Sequence, residues 1–263
     1  MNFCSLSSGS SGNCYYIGNG SHGILIDAGI SALSIRKFLS EIGVSMQSIM
    51  GVLITHNHSD HIRGLEVLTR RNNLFAFTTE KIRESLIYSR SSISGDTIRK
   101  IPLQQKFNIA GFDIEAFPVS HDAPETIGFH ICSEGQKITI ATDLGHICPV
   151  ASPYIKAANL LVIESNYDEQ MLLTGRYPHY LKARIRSDRG HLSNYQTSAF
   201  LADNISDHLS HVCIAHLSKN NNTPAKAIET LMRAFSDRGL DLNGRPTVMA
   251  LNRNVPSEMI CLN

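Results

Sequence analysis

The segment Thr55-His56-Asn57-His58-Ser59-Asp60-His61 places three of the chain's 12 histidines within six residues, with a carboxylate among them. Imidazole nitrogens and carboxylate oxygens are ligands for divalent metals, and such density in so short a stretch is a metal-ligand composition. A β-type run precedes the segment and a helical one follows it. Alternate residues of a strand share a face, so His56 and His58 project to one side, while Asp60 and His61, at the turn into the helix, address a second position nearby. The competing reading is a solvated polar turn in which Ser59 or Asp60 caps the helix. More ligands must come from elsewhere. His121, Asp143 and His216 each follow a predicted strand, where an open sheet presents its site. His130, inside a strand pattern, and His146, beyond the turn after Asp143, are the rival candidates; His22, His179, His208 and His211 read as surface or capping residues.

The elements that must position these side chains are legible as short apolar runs at 14–17, 24–26, 52–54, 74–77, 112–119, 127–132, 138–141, 160–163, 212–215 and 248–251. Helical spacing joins Ile35, Phe38, Leu39 and Ile42, and Ile62, Leu65 and Leu68 mark a second helix just after the histidine cluster. Two more helices are expected over Ser193–Ile205 and Pro224–Phe235. Strand pairs come first and helices then interleave with strands, an order that fits a mixed-sheet layered α/β sandwich better than a doubly wound parallel sheet. Without a linker of domain-separating length, residues 1–263 are expected to form a single domain. The Ser-Gly stretch Ser7–Asn13 reads locally as a turn between two strands.

Hydrophobic residues make up 42% and charged residues 18%, a globular balance, and the net charge of +1 gives no global attraction to polyanions or membranes. The six cysteines form no C-x-x-C pair and read as reduced thiols. With neither a signal-peptide pattern nor a membrane-length apolar run, a cytoplasmic protein is expected.

The order His56-x-His58-x-Asp60-His61, then His121, Asp143 and His216, resembles the metallo-β-lactamase superfamily along essentially the whole chain. The resemblance implies an αββα four-layer sandwich with mixed sheets and a site along one sheet edge. It also implies two divalent metal ions, one held by His56, His58 and His121, the other by Asp60, His61 and His216, with Asp143 bridging. The pair Asp60 and His61 resembles two-metal members rather than penicillin-hydrolysing ones, which usually carry cysteine where this chain has Asp143. Flavo-diiron members place Glu where this chain has His58. The interval from Asp143 to His216 is too short for the large extra domain of many RNA-processing members. Ser8-Gly9-Ser10-Ser11-Gly12-Asn13, Gly190-His191-Leu192-Ser193-Asn194 and His216-Leu217-Ser218-Lys219-Asn220-Asn221 together resemble the bacterial YycJ/WalJ-like group, whose members are described as nucleases with 5′-exonuclease activity on DNA. Glu164 and His191 resemble, more distantly, an acid pair of transfer-RNA 3′-processing nucleases.

Two adjacent metals polarise a phosphoryl oxygen and generate hydroxide at neutral pH to attack phosphorus, which suits a phosphodiester. The leaving 3′-oxygen needs a proton, and His191, oriented by Glu164, is the expected general acid, with Asp60 joining them in catalysis. The bland role for His191 is capping the helix near Ser193. Arg176, Lys182, Arg184, Arg186 and Arg189, opposed only by Asp188, are expected to grip phosphates, with Ser218 and Asn220 beside them. A solvated helix face is the alternative for this run. The expected substrate is nucleic acid, DNA more than RNA, with Zn²⁺ or Mn²⁺ as the metal. The rival activity is thioester or lactone hydrolysis; the rival class is a noncatalytic metal-dependent regulator.

Overall fold

The computed structural model describes residues 1–90, 92–240 and 244–262. Within them the strands are β1 (Asn2–Ser7), β2 (Cys14–Gly18), β3 (Gly23–Ile26), β4 (Ile49–Leu53), β5 (Ala76–Thr78), β6 (Ile98–Lys100), β7 (Lys106–Ile109), β8 (Phe112–Pro118), β9 (Ile127–Ser133), β10 (Gln136–Ala141), β11 (Leu160–Glu164), β12 (His211–Ala215), β13 (Thr247–Ala250) and β14 (Ile260–Cys261). The α-helices are α1 (Ala32–Glu41), α2 (Ser59–Ile62), α3 (Leu65–Asn72), α4 (Glu80–Ser89), α5 (Ala151–Lys156), α6 (Glu169–Thr174), α7 (His179–Ile185), α8 (Asn194–Asn204) and α9 (Pro224–Asp237). The strands form two seven-stranded sheets, ordered β14-β1-β2-β3-β4-β5-β6 and β13-β12-β11-β10-β9-β8-β7. Both are mixed. In the first, β1 to β3 pair antiparallel and β3 to β6 parallel. In the second, β7 and β8 pair antiparallel and β10 to β13 parallel. Parallel neighbours need a crossover, and α1, α5, α8 and α9 lie in those connections.

The backbone divides into two compact units, one of residues 1–117, 123–136 and 252 onward, the other of residues 118–122 and 137–251. The single-domain expectation spans both, and Ser91, Asp241–Asn243 and Asn263 lie outside the described residues.

In the first unit, β2 and β3 are buried along their whole length, and α1 puts Ala32, Ile35 and Leu39 inward. The helix expected across Ile62, Leu65 and Leu68 is in fact two. It breaks at Gly64, whose N–H donates to the Ala28 carbonyl at 2.7 Å, and a side chain at Gly64 would collide with the Ile30 carbonyl. In the second unit, the apolar runs of β10, β11 and β12 are buried on both faces, as parallel strands require. Their C-terminal ends deliver Asp143, Glu164 and His216. Helix α8 starts at a capping box of Ser193 and Gln196. Helix α9 starts at Thr223 with Pro224 following and buries Ala227, Leu231 and Phe235.

Strands β1, β6, β7 and β14 carry no clear sequence signal. In β1 the serines Ser5 and Ser7 are buried with the apolar residues, which erases the alternation, and in β7 most of the strand faces solvent. The cysteines are free thiols. Burial pushes the Cys14 and Cys213 thiols upward, which keeps them unreactive. Among the described residues no helix is long and apolar enough to cross a membrane.

Candidate metal centre and active site

In the first unit the histidine cluster is set by the loop that follows β3. Asp27 and Ala28 donate their N–H groups to the carbonyls of Leu53 (2.8 Å) and His61 (2.7 Å). Gly29 lies so close to the Asp60 carbonyl that any side chain would overlap it. Asp27 has φ of 60°, a left-handed conformation uncommon outside glycine. Its carboxylate, fully buried, takes the Thr55 N–H (2.9 Å), the Thr55 hydroxyl (2.8 Å) and His61 Nδ1 (2.6 Å). The Thr55 hydroxyl has one proton and gives it to Asp27, so toward His56 Nδ1, 3.0 Å away, it acts as acceptor. Both His56 and His61 thereby carry hydrogen on Nδ1 and a lone pair on Nε2, the state a metal ligand needs. Burial drives the Asp27 carboxyl above its usual range, against the opposing pull of His61 and the Thr55 bonds.

The rings of His56 and His58 lie 4.6 Å apart and those of His56 and His61 4.0 Å apart, and Asp60 Oδ2 is 3.7 Å from His61 Nε2. His58 occupies the cap position of α2 without a side-chain capping bond, so neither Ser59 nor Asp60 caps that helix. Asn13 completes the group. Its N–H donates to the Asp60 carbonyl at 2.8 Å, and its Nδ2 stands 3.0 Å from His61 Nε2.

In the second unit the organising atom is Asp143 Oδ1. It lies 3.7 Å from His121 Nε2, 3.6 Å from His216 Nε2 and 3.9 Å from His191 Nδ1. Ligand atoms each about 2.1 Å from one ion stand roughly 3–3.6 Å apart, so the His216-to-Asp143 separation suits a shared metal and the His121-to-Asp143 separation lies just beyond that range. Asp143 and His216 have φ of 59° and 55°, the strained geometry seen at Asp27. His121 Nδ1 donates to the Gly190 carbonyl at 2.9 Å, and His216 Nδ1 donates to Glu164 Oε1 at 3.0 Å, which again assigns Nε2 to a metal.

Glu164 Oε1 also accepts from His191 Nδ1 at 2.7 Å, while Oε2 accepts the N–H groups of Leu144 (2.8 Å) and Leu192 (3.2 Å). Burial acts to raise this carboxyl, and the charges and hydrogen bonds of His191 and His216 outweigh it, holding Glu164 below the ordinary range. Asp143, Glu164, His191 and His216 each offer a ligand atom within 4.8 Å of the others. The donor sets of both units fit divalent metal ions. His191 itself is 19% exposed, and the helix after it is capped by Ser193, so capping is not its role.

Of the rival candidates, His130 is buried within β9, and His146 is exposed, its Nδ1 donating to the Asp188 carbonyl at 3.0 Å. The basic run is partly committed within its own unit. Arg184 pairs with Asp122, Arg189 donates to the His121 carbonyl at 3.1 Å, and Lys182 donates to the Leu173 carbonyl at 2.7 Å. Arg176 and Arg186 are exposed. Ser218 is buried and its hydroxyl accepts from Asn221 N–H at 3.3 Å, whereas Asn220 is exposed and donates to the Tyr177 hydroxyl at 3.1 Å. Sequence reasoning missed Asp27 and gave no role to Asn13, Asn166 and Gly190, which entered only through motifs that carry a resemblance. Asp27 ends an apolar strand just as Asp143 does, which was an available signal. Asn166, which donates to the His216 carbonyl at 2.8 Å, carries none.

A family model described as "Beta-lactamase superfamily domain" matches residues 22–210. "Exodeoxyribonuclease YycJ" of Bacillus anthracis is 34% identical over 247 residues, 91% of this chain and 90% of that protein. "Exodeoxyribonuclease WalJ" of Streptococcus pneumoniae is 32% identical over 237 residues, 89% of this chain and 88% of that one. Zn²⁺-bound PqqB from Methylobacterium extorquens superposes with a TM-score of 0.71 at 17% identity, covering 98% of this chain and 100% of its own. Human tRNase Z, short form, gives a TM-score of 0.66 at 15% identity, over 98% and 99% of the two chains. At those identities the two structures speak for the fold, which is the expected metallo-β-lactamase α/β sandwich of mixed sheets. The chain therefore belongs to the β-lactamase superfamily and is a metal-dependent hydrolase of that fold.

Proposed function

We propose that this protein is a two-metal phosphodiesterase that removes nucleotides from the 5′ end of DNA. The observation that carries the reading is the double use of Glu164 Oε1, which accepts from His216, the expected ligand, at 3.0 Å and from His191, the expected acid, at 2.7 Å. A carboxylate that holds the Nδ1–H of an imidazole beside a ligand leaves Nε2 to serve as an acid for an alkoxide leaving group. A thioester or lactone has less need of such a group.

His56, His58 and His121 would hold one divalent ion and Asp60, His61 and His216 the other, with Asp143 shared. This pairing rests on the family's ligand order and on the Nδ1 anchoring found within each unit. When bound, the ions supply Lewis-acid activation of water and offset charge on the phosphoryl oxygens. Water adds to phosphorus and loses a proton to solvent, the bond to the 3′-oxygen breaks, and His191 gives that oxygen its proton from Nε2 while Glu164 keeps Nδ1–H in place. Asp60 serves beside them as ligand and catalytic carboxylate. Arg176 and Arg186 contact phosphates directly; Arg184, Arg189 and Lys182 do so from positions already tethered to protein groups, and Ser218 and Asn220 border the substrate. The free thiols suit a reducing cytoplasm.

The relatives named as exodeoxyribonucleases support DNA over RNA. The test is digestion of end-labelled single- and double-stranded DNA and RNA with Zn²⁺ or Mn²⁺, beside a thioester panel. Label released first from the 5′ end of DNA is the expected result. Thioester turnover with intact nucleic acid would replace the reading.

A further inference from the structure

Residues Ser8 to Asn13 join β1 to β2, and this connection is rooted in the ligand segment of its own unit. Asn13 bonds the Asp60 carbonyl and stands 3.0 Å from His61 Nε2, and its Oδ1 accepts the Gly9 N–H at 2.9 Å. The Gly12 N–H closes the turn on the Gly9 carbonyl at 2.9 Å. Ser10 and Ser11 form the corner. Both are exposed, and among the described residues neither their N–H groups nor their hydroxyls engage a protein group.

One side of the turn is covered by Arg253. Gly9 has φ of 135°, and a Cβ there would stand 2.9 Å from Arg253 Nη1 and 3.3 Å from Cζ. Glycine is needed at this position both for the backbone conformation and to let the guanidinium lie against the turn. The Arg253 backbone is fastened to the same loop, because its carbonyl accepts the Ser7 hydroxyl and the neighbouring Asn252 carbonyl accepts the Ser8 N–H at 2.9 Å.

Two consecutive N–H donors and two hydroxyls at one turn, with a guanidinium against its Gly9, are the kinds of group that bind an anion, with Arg supplying the charge. The geometry points to the Gly9–Gly12 turn and Arg253 as a subsite for the terminal phosphomonoester of a nucleic-acid strand. A phosphomonoester presents three acceptor oxygens and up to two charges, which matches this donor set better than the two non-bridging oxygens of an internal diester. Because Asn13 ties the turn to Asp60 and His61, a phosphate held here sets the strand end at a fixed distance from the ligand segment. The inference rests on the nuclease reading and adds to it the feature of substrate that the enzyme recognises.

The test compares one DNA sequence prepared with a 5′-phosphate, a 3′-phosphate or neither, using wild type, Arg253→Gln and the Ser10→Ala/Ser11→Ala double variant. Two quantities are read: kcat/KM, and the Kd of phosphorothioate-linked strands that resist cleavage. Wild type should favour the 5′-phosphorylated strand. That preference ratio should fall by about ten- to a hundredfold in Arg253→Gln and by about tenfold in the double serine variant. A wild type indifferent to the end group, or ratios unchanged in both variants, would overturn the subsite. A lowered melting temperature of Arg253→Gln with an unchanged ratio would overturn it too, making Arg253 a brace. Since Ser10 and Ser11 are exposed, the double variant decides the matter even if Arg253→Gln folds poorly. Preference for the 3′-phosphate, lost in the same variants, would keep the subsite and overturn the 5′ polarity. If wild type cuts no nucleic acid, the nuclease reading fails, and the ratio of Kd values still decides the subsite.

Discussion

The two units anchor their ligands by the same device and put it to different use. In the first, Asp27 receives His61 and Thr55 and is sealed from solvent, so its carboxylate can only orient. In the second, Glu164 receives His216 and also His191, whose ring is part exposed, so orientation of a ligand and support of an acid share one carboxylate. The environments follow suit: burial wins at Asp27 and raises its carboxyl, whereas two histidines win at Glu164 and lower it. A buried carboxylate behind a histidine therefore does not by itself mark a catalytic group. What it holds besides the ligand does.

The largest expected effect removes the atom on which the second unit's ligands converge. Wild type should bind about two divalent ions per chain, and Asp143→Ala should lose at least one, with folding intact by circular dichroism. His58→Ala in the first unit should do the same. Metal analysis after dialysis checks both, and a wild-type content that stays near one under saturating Zn²⁺ and Mn²⁺ would break the two-metal reading.

Next comes His191→Ala, which should keep its metals and its DNA affinity yet slow cleavage by about 10²–10⁴-fold. A nitrophenyl phosphodiester has a leaving group that needs little protonation, so the defect should shrink on that substrate. Equal losses on both substrates would remove the acid role.

The carboxylates themselves give the sharpest contrast. Asp27→Asn should weaken metal binding by about 10–100-fold and leave the ratio of DNA to nitrophenyl activity unchanged once metal is saturating. Glu164→Gln should weaken metal binding comparably and also lower that ratio. Identical behaviour of the two variants would erase the distinction drawn between the units.

The smallest effect belongs to the surface cations. Arg186→Ala should flatten the slope of log affinity against log salt by about 0.7–0.9. Arg184→Ala should add to this a loosening of Asp122, its ion-pair partner, visible as a lower melting temperature. An unchanged slope in both would return the run to a solvated face.

What the sequence determined by itself was the inventory of chemistry and the strands that carry it. Contiguous ligands such as His56, His58, Asp60 and His61 are legible because strand and turn periodicity alone decide where they point. Apolar runs ending in Asp143 or His216 are legible because buried parallel strands are apolar throughout. The break at Gly64 was not, since it comes from an Ile30 carbonyl that only folding brings there. Nor were the roles of Asp27, Asn13 and the Gly190 carbonyl, because which acceptor faces a given Nδ1 depends on loops distant in sequence. Glu164 was placed in advance only through a resemblance; its service to two histidines at once is a fact of tertiary structure, fixed where the end of β11 meets the loops carrying His191 and His216.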